Sequence, residues 1–437
     1  MPFKFQYLRT VMSVQSVVEG VFAVNKPPSL SSAQALRDLQ VQFNESSLFA
    51  PWLSAQREKR AAEPQRGRRR RREKRIQVKL GHGGTLDPMA TGVLIVGVGA
   101  GTKSLQDFLS CRKTYDTVVL FGATSESYDA WGKLVAVQKD RSKLKELTRD
   151  KVESALEKFR GKIMQKPPIF SALRIDGKRL YEYAREGKEL PREIEERPVE
   201  VYDLEMLEWY EGGTHPWKYP DEVAADEERT LAGKVMGVSE EDKNAALGSS
   251  SKRRRVEEDA VSKAVGDSGS TKKQKTEKTE EQFASTNPEP ESEQSPPVVA
   301  GDSPLASTEP QASGALKSDV INSVDNPTEQ PVSTPSASSM GSFAPAARVR
   351  VTSSSGFYVR SLCHDLGKAV GSYGLMTELV RKKQADFELG KNVIEFEDFN
   401  KGEEVWGSKV REQLGQWMNA REEKKRKEEE RRASIPP

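Results

Sequence analysis

Cysteine and histidine are scarce in this chain: 437 residues carry two cysteines, Cys111 and Cys363, and three histidines, at 82, 215 and 364. So few thiols, so far apart, exclude a disulfide framework, and with the histidines scattered no zinc-ligand spacing is present. A reducing, intracellular setting is expected. Aromatic residues make up 7% of the chain and hydrophobic residues 35%. No apolar run approaches the roughly 18–20 residues that cross a bilayer, so a soluble chain is expected. Nucleotide and hydrolase signatures are missing as well. GVGAGTKS has the wrong glycine spacing and lysine placement for a P-loop and is not G-x-G-x-x-G, and neither a G-x-S-x-G elbow nor H-E-x-x-H occurs.

What the chain has is charge: 31% of residues are Asp, Glu, Lys or Arg, with a net charge of only +3. The balance is local. Residues 57–75 are strongly basic and include five consecutive arginines, Arg68 to Arg72. Such a run is expected to be solvated and suits a polyanion. Residues 1–19 contain Lys4 and Arg9 and no acid before Glu19, a pattern shared by mitochondrial presequences and by frayed termini. Met12 could serve as a second start. From Tyr219 to Phe343 the only intervening aromatic is Phe283, and Glu, Lys, Ser, Thr and Pro dominate. A disordered insertion over 212–345 is therefore expected, since too little apolar area is available to offset ordering. Within it SSKRRRVEE and TKKQKTEK form paired basic clusters, which suit nuclear import as well as a solvated linker.

The remainder divides into a first folded part, 20–211, interrupted by the basic insertion 45–76, and a second, 346–400, followed by a charged helical tail, 401–437. VFAVNKP, GVLIVGVG, DTVVLF, VYDLEML and ARVRVT have strand character. LSSAQALRDLQVQF is expected to be a helix opened by Ser31 and Gln34 in a capping box, with Ala33, Leu36, Leu39 and Phe43 recurring along it. DKVESALEKF is a second, with Val152, Leu156 and Phe159 on one face. FYVRSLCHDLGKAV is a third: Val359, Leu362, Cys363, Leu366 and Val370 form its apolar stripe, and Arg360 lies one step off it. A last helix carries Val410, Leu414 and Trp417. ARVRVT has too few neighbours to make a sheet alone, so both parts are expected to form one folded unit.

Directly behind the arginine run stands GHGGTLDPMATG. Gly83 and Gly84 allow close backbone approach and Pro88 fixes the turn, so Asp87 sits in a rigid loop. It has no carboxylate partner nearby in the sequence, which argues against paired acid–base or two-metal chemistry. A lone aspartate there is either a salt-bridged structural residue or a nucleophile kept ionised by a cation such as an arginine.

GVFAVNKPPSLSS, KLGHGGTLDPMATGVLIVGVGAGTKSLQDFL, KTYDTVVLFGATSESYDAWG, QKPPIFSALRIDGKRLYEYAREGKELPR, RPVEVYDLE and SSSGFYVRSLCHDLGKAVG with ELVRKK resemble, in family order over about 220 residues, the TruB family of tRNA pseudouridine synthases. The resemblance is to its fungal branch, which modifies uridine 55 in the tRNA T arm. It implies an α+β fold, a mixed and mostly antiparallel central sheet with flanking helices, with RNA bound in a cleft across it. It also implies Asp87 as the catalytic aspartate, Tyr115 as the aromatic stacked on the uracil and assisting proton removal at C5, and Arg360 as the arginine paired with the aspartate. His82 would help hold the T loop while the base flips. Gly84 and Thr85 would bind substrate, Leu379 would line the pocket, and Lys26-Pro27 would pack beneath the site. No metal and no cofactor are implied. The partners would be the tRNA T arm and T-loop-like sites in messenger RNA, for a monomer divided among nucleus, mitochondrion and cytoplasm. Asp87 would attack either C6 of the uracil or C1′ of the ribose, a choice the residues do not make.

No counterpart to the small C-terminal RNA-binding domain of many relatives is expected from this sequence. The basic insertion, with Arg68, Arg69 and Arg70, would take its place through phosphate contacts that weaken with salt. Two other functions fit the sequence less well. One is a tRNA-refolding chaperone with incidental catalysis. The other is a uracil C5-methyltransferase, which wants an activated cysteine and a methyl-donor site that this chain does not display.

Overall fold

The structure, a computed structural model, describes residues 17–62, 75–247 and 343–434. Fourteen strands are found among them: β1 Gly20–Lys26, β2 Leu80–His82, β3 Thr91–Val98, β4 Lys113–Phe121, β5 Ala123–Ser125, β6 Leu134–Val137, β7 Gly161–Gln165, β8 Arg174–Ile175, β9 Lys178–Arg179, β10 Arg197–Tyr210, β11 Ala346–Ser353, β12 Gly374–Gln384, β13 Phe387–Glu388 and β14 Ile394–Glu395. Ten form one sheet ordered β14-β1-β3-β12-β4-β11-β10-β7, with β2 paired to β3 and β13 to β12. Only β1–β14 and β3–β12 run parallel, so the sheet is mostly antiparallel, as the resemblance implies. The central strands read as continuous apolar runs because both their faces are covered: seven of the eight residues of β3 are buried. In β11 burial alternates, with Val349 and Val351 inward and Arg348 and Arg350 partly out.

The helices are α1 Ser32–Glu45, α2 Ala50–Ala62, α3 Leu105–Ser110, α4 Ser142–Lys145, α5 Arg149–Leu156, α6 Leu180–Arg185, α7 Asp226–Met236, α8 Glu240–Leu247, α9 Val359–Ala369 and α10 Glu403–Ala433. Helix α9 buries the whole expected stripe, from Val359 to Val370. In α5, Val152 and Leu156 are buried as expected, while Phe159 lies in a 3₁₀ turn just beyond the helix and is half-buried. β4 is flanked by β12 and β11, so the segments before and after residues 248–342 build one sheet.

Four expectations are corrected. Helix α1 is capped by Ser31, whose Oγ accepts from Gln34 N at 3.1 Å, but Gln34's side chain turns to Asp38 and Arg37 instead of closing the box. Its inner face is Ser32, Ala35, Leu39 and Phe43, and Ala33 is exposed. Residues 45–76 are not wholly an exposed insertion: Phe49, Trp52 and Leu53 enter the core at and before the first turn of α2, and Trp52 Nε1 donates to Glu19 Oε1 at 2.6 Å. The stretch 212–247, placed in the disordered insertion, holds α7 and α8. Ala232, Met236, Val238 and Ala246 pack beside the β5–β6 hairpin, and Tyr219 Oη donates to Phe121 O at 2.7 Å. The expected tail 401–437 contributes Trp406, Val410 and Leu414 to the core, all nearly inaccessible, with Trp417 half-buried beside Gly20. Arg68, Arg69 and Arg70, the paired basic clusters and residues 1–16 lie outside the described residues.

Candidate active site

The loop Gly83–Ala90 joins the hairpin strands β2 and β3, and its backbone is pinned from three directions. Ser32 Oγ accepts from Leu86 N at 2.9 Å and donates to Leu86 O at 3.2 Å. Lys26, with no exposed surface, donates from Nζ to Pro27 O, Leu30 O and Pro88 O at 2.8, 2.6 and 3.1 Å. Arg381 of β12 donates from Nη2 to Thr85 O at 2.8 Å and from Nη1 to Gly84 O at 3.4 Å. Gly84 has φ +135°, where a side chain would be strained. Asp87 thus projects from a segment fixed on both sides. Burial pulls the Lys26 ammonium down to about 8, against the pull of Asp87 in the other direction.

Arg360, second residue of α9, meets it. Its Nε lies 2.9 Å from Asp87 Oδ2 and its Nη2 donates to Oδ1 at 3.3 Å, a two-pronged pairing. Nη1 donates to Ser127 O at 2.8 Å and Nη2 also donates to Phe170 O at 2.9 Å, which holds the fork in place. The start of α9 is itself clamped: Gln165 accepts from Tyr358 N and donates to Tyr358 O at 2.8 and 3.0 Å.

Asp87, Tyr115, Arg360 and Leu379 line one cavity of about 650 Å³, together with Thr85. The Asp87 side chain is 33% exposed to it and that of Arg360 only 9%. The structure therefore brings together the three residues expected to react. His82 and Gly84 are not among the lining residues. His82 ends β2, with Nδ1 buried and lacking a hydrogen-bond partner. Burial and the nearby Arg381 charge push its imidazole below the usual range. Lys26 reaches the loop at Pro88 O, and Pro27 supplies one of the carbonyls that hold its ammonium.

Two residues escaped the sequence. Arg381 is 2% exposed and faces Tyr115 across the β4–β12 ladder; its Nε donates to Tyr115 Oη at 3.3 Å and its guanidinium carbon stands 5.5 Å from the ring centroid. It ties the Asp87 loop to the aromatic residue. The second is Asp129, a carboxylate far from Asp87 in the sequence that shares its arginine. The β5–β6 turn carries Asp129 to within 3.8 Å of Arg360 Nε, so one guanidinium faces two carboxylates. Burial raises the Asp129 carboxyl above the usual range, and the charge of Asp87 adds to this. The Arg360 guanidinium, the Ser127 hydroxyl and the Trp131 N–H act in the opposite sense. A YDAWG turn next to a strand was the available signal.

A methyltransferase reading finds no support at the cysteines. Cys363 is fully buried in α9 and burial pushes its thiol up to about 12. Cys111 donates to Phe108 O at 3.1 Å. Neither lines the cavity.

The site thus holds a rigid carboxylate, a bidentate arginine and an aromatic ring on one cavity, and the class of the protein comes from its relatives. Residues 69–217 match the family described as TruB family pseudouridylate synthase (N terminal domain). The chain is 35% identical over 388 residues to tRNA pseudouridine synthase 4 of Schizosaccharomyces pombe, covering 87% of this chain and 82% of the relative. It is 32% identical over 432 residues to tRNA pseudouridine synthase 4 of Saccharomyces cerevisiae, covering 96% and 91%. Among solved structures, "Crystal Structure of a Cbf5-Nop10-Gar1 Complex" aligns with 90% of this chain and 58% of its own, at a TM-score of 0.39 and 15% identity. The chain belongs to the TruB family of pseudouridine synthases.

Proposed function

We propose that this synthase isomerises uridine 55 in the T loop of tRNA. Both yeast relatives are named as tRNA pseudouridine synthases over most of their length. The observation that carries the mechanism is the two-pronged Asp87–Arg360 pair opening into the cavity lined by Tyr115. The target base leaves its stack to reach Asp87, and stacking on Tyr115 offsets part of that cost, about 1–3 kcal/mol. The N1–C1′ bond breaks, the uracil turns, and a C5–C1′ bond forms while C5 loses its proton towards the Tyr115 side. Asp87 supplies the nucleophilic oxygen, at C6 or at C1′, in a bond that breaks again before product leaves. N1 takes up a proton as C5 gives one up, and Arg360 fixes the direction of the carboxylate. T-loop-like sites in messenger RNA are included in the proposal.

Asp87→Asn tests this. Pseudouridine at position 55 is expected to fall by at least about 10³-fold, with tRNA affinity within about threefold of wild type. Unaffected modification overturns the assignment, and lost modification with retained refolding of tRNA would favour the chaperone function for what remains.

A further inference from the structure

The turn between β5 and β6 sets Trp131 on the wall of the catalytic cavity with 58% of its surface exposed. Tryptophan is costly to leave in water, and an exposed indole at a concave site is the signature of a contact surface. The backbone beneath it is tightly made. Trp131 N and Gly132 N both donate to Asp129 Oδ1, at 3.0 and 3.1 Å, and a Cβ on Gly132 would stand 2.0 Å from Ser127 Oγ. The indole is therefore held out by the same carboxylate that faces Arg360, on a turn with little freedom.

We infer that Trp131 is a stacking platform for a nucleobase next to the target uridine. The inference rests on the RNA-substrate reading above and deepens it. The cavity also carries Arg185, whose guanidinium carbon stands 5.1 Å from the ring centroid of Tyr181, and a cation beside aromatic faces suits a polyanion bearing flat bases. An indole offers a large π face and few torsions to freeze on binding. Every base has such a face, so the platform does not read sequence. It selects RNA in which a base beside the target is already unstacked, and so favours loops over duplex.

The test uses the full chain with a T-arm stem-loop RNA and the variants Trp131→Ala, Trp131→Leu and Trp131→Phe, each checked for an unchanged thermal midpoint. Trp131→Ala and Trp131→Leu are expected to weaken RNA affinity about five- to hundredfold, with kcat falling less, and Trp131→Phe to recover most of it. Abasic substitutions beside the target uridine should include one position at which wild type loses the same factor and Trp131→Ala loses nothing more. Affinity of Trp131→Ala within twofold of wild type overturns the platform. So does Trp131→Leu matching Trp131→Phe, or penalties that multiply at every abasic position. Should wild type leave the T-arm RNA unmodified, the substrate reading fails instead, and the same variants assayed on total cellular RNA decide the role of Trp131.

Discussion

Arg360 reaches back 273 positions along the chain to grip Asp87 by both oxygens, at 2.9 and 3.3 Å, and spends its other donors on the carbonyls of Ser127 and Phe170. The planar fork, and not its charge alone, sets the direction of the carboxylate. Arg360→Lys keeps the charge and loses the fork. The expected result is a fall in single-turnover rate of about 10²-fold or more, with RNA affinity changed by less than about threefold. Rapid-quench kinetics with a filter-binding control measures both.

Asp129 separates charge from scaffold. Asp129→Asn keeps an acceptor for the Trp131 and Gly132 N–H groups but removes the second negative charge from Arg360. It should slow turnover by about ten- to hundredfold while the protein stays within about 1 kcal/mol of wild-type stability. Asp129→Ala leaves the turn without its acceptor and should cost a further 1–3 kcal/mol or so. Denaturant titration of the two variants distinguishes these outcomes.

Lys26 satisfies three carbonyls around the Asp87 loop from a fully enclosed position. Lys26→Met fills similar volume but strands those oxygens, so a loss of about 2–4 kcal/mol in unfolding free energy is expected, together with a lower kcat as Pro88 loosens. Calorimetry and single-turnover rates check this. A variant as stable and as active as wild type would show that the loop holds itself.

Histidine 364 lies flat against Tyr128, ring centroids 4.1 Å apart and planes at 8°, and burial drives its imidazole down to about 3. The unfolded chain takes up a proton near pH 6.5 and the folded chain does not, so this group withdraws stability as pH falls from about 6.5 towards 3, by up to about 1.4 kcal/mol per pH unit. Its neighbour Asp365 is raised to about 6 by burial and by Glu196, with Lys368 opposing. Asp365 acts the other way, withdrawing stability as pH rises from about 4 to 6. Wild type should therefore show a shallow profile between pH 4 and 6, and His364→Gln should unmask a decline as pH rises through that window. Denaturant midpoints measured across pH test it.

Asp87, Arg360 and Tyr115 were legible in the sequence as candidates because each sits in a local pattern: GGTLDP, FYVRS and KTYD. Arg381 and Asp129 were not, because their meaning is topological. Arg381 matters only once β12 lies beside β4 in a register that sets it against Tyr115. Asp129 matters only once a tight turn brings it 3.8 Å from an arginine 231 residues away. Helices α7 and α8 were hidden for a different reason. They cover a hairpin that is already paired, with few apolar side chains of their own, Ala232, Met236 and Ala246, and the charged residues around them dominate the composition. In the core half of α10, Val410 and Leu414 were read from the sequence and Trp406 was not, and Trp52 and Leu53 were masked by the arginines that follow.

The placement of β4 between β12 and β11 has a consequence for biogenesis. The nascent chain presents VVLF of β4 about 220 residues before either lateral partner has been translated. At about 5–20 residues per second that is roughly 10–45 s during which a buried strand has two open edges. The length of the span between the two halves of the sheet therefore sets how long those edges stay open during synthesis.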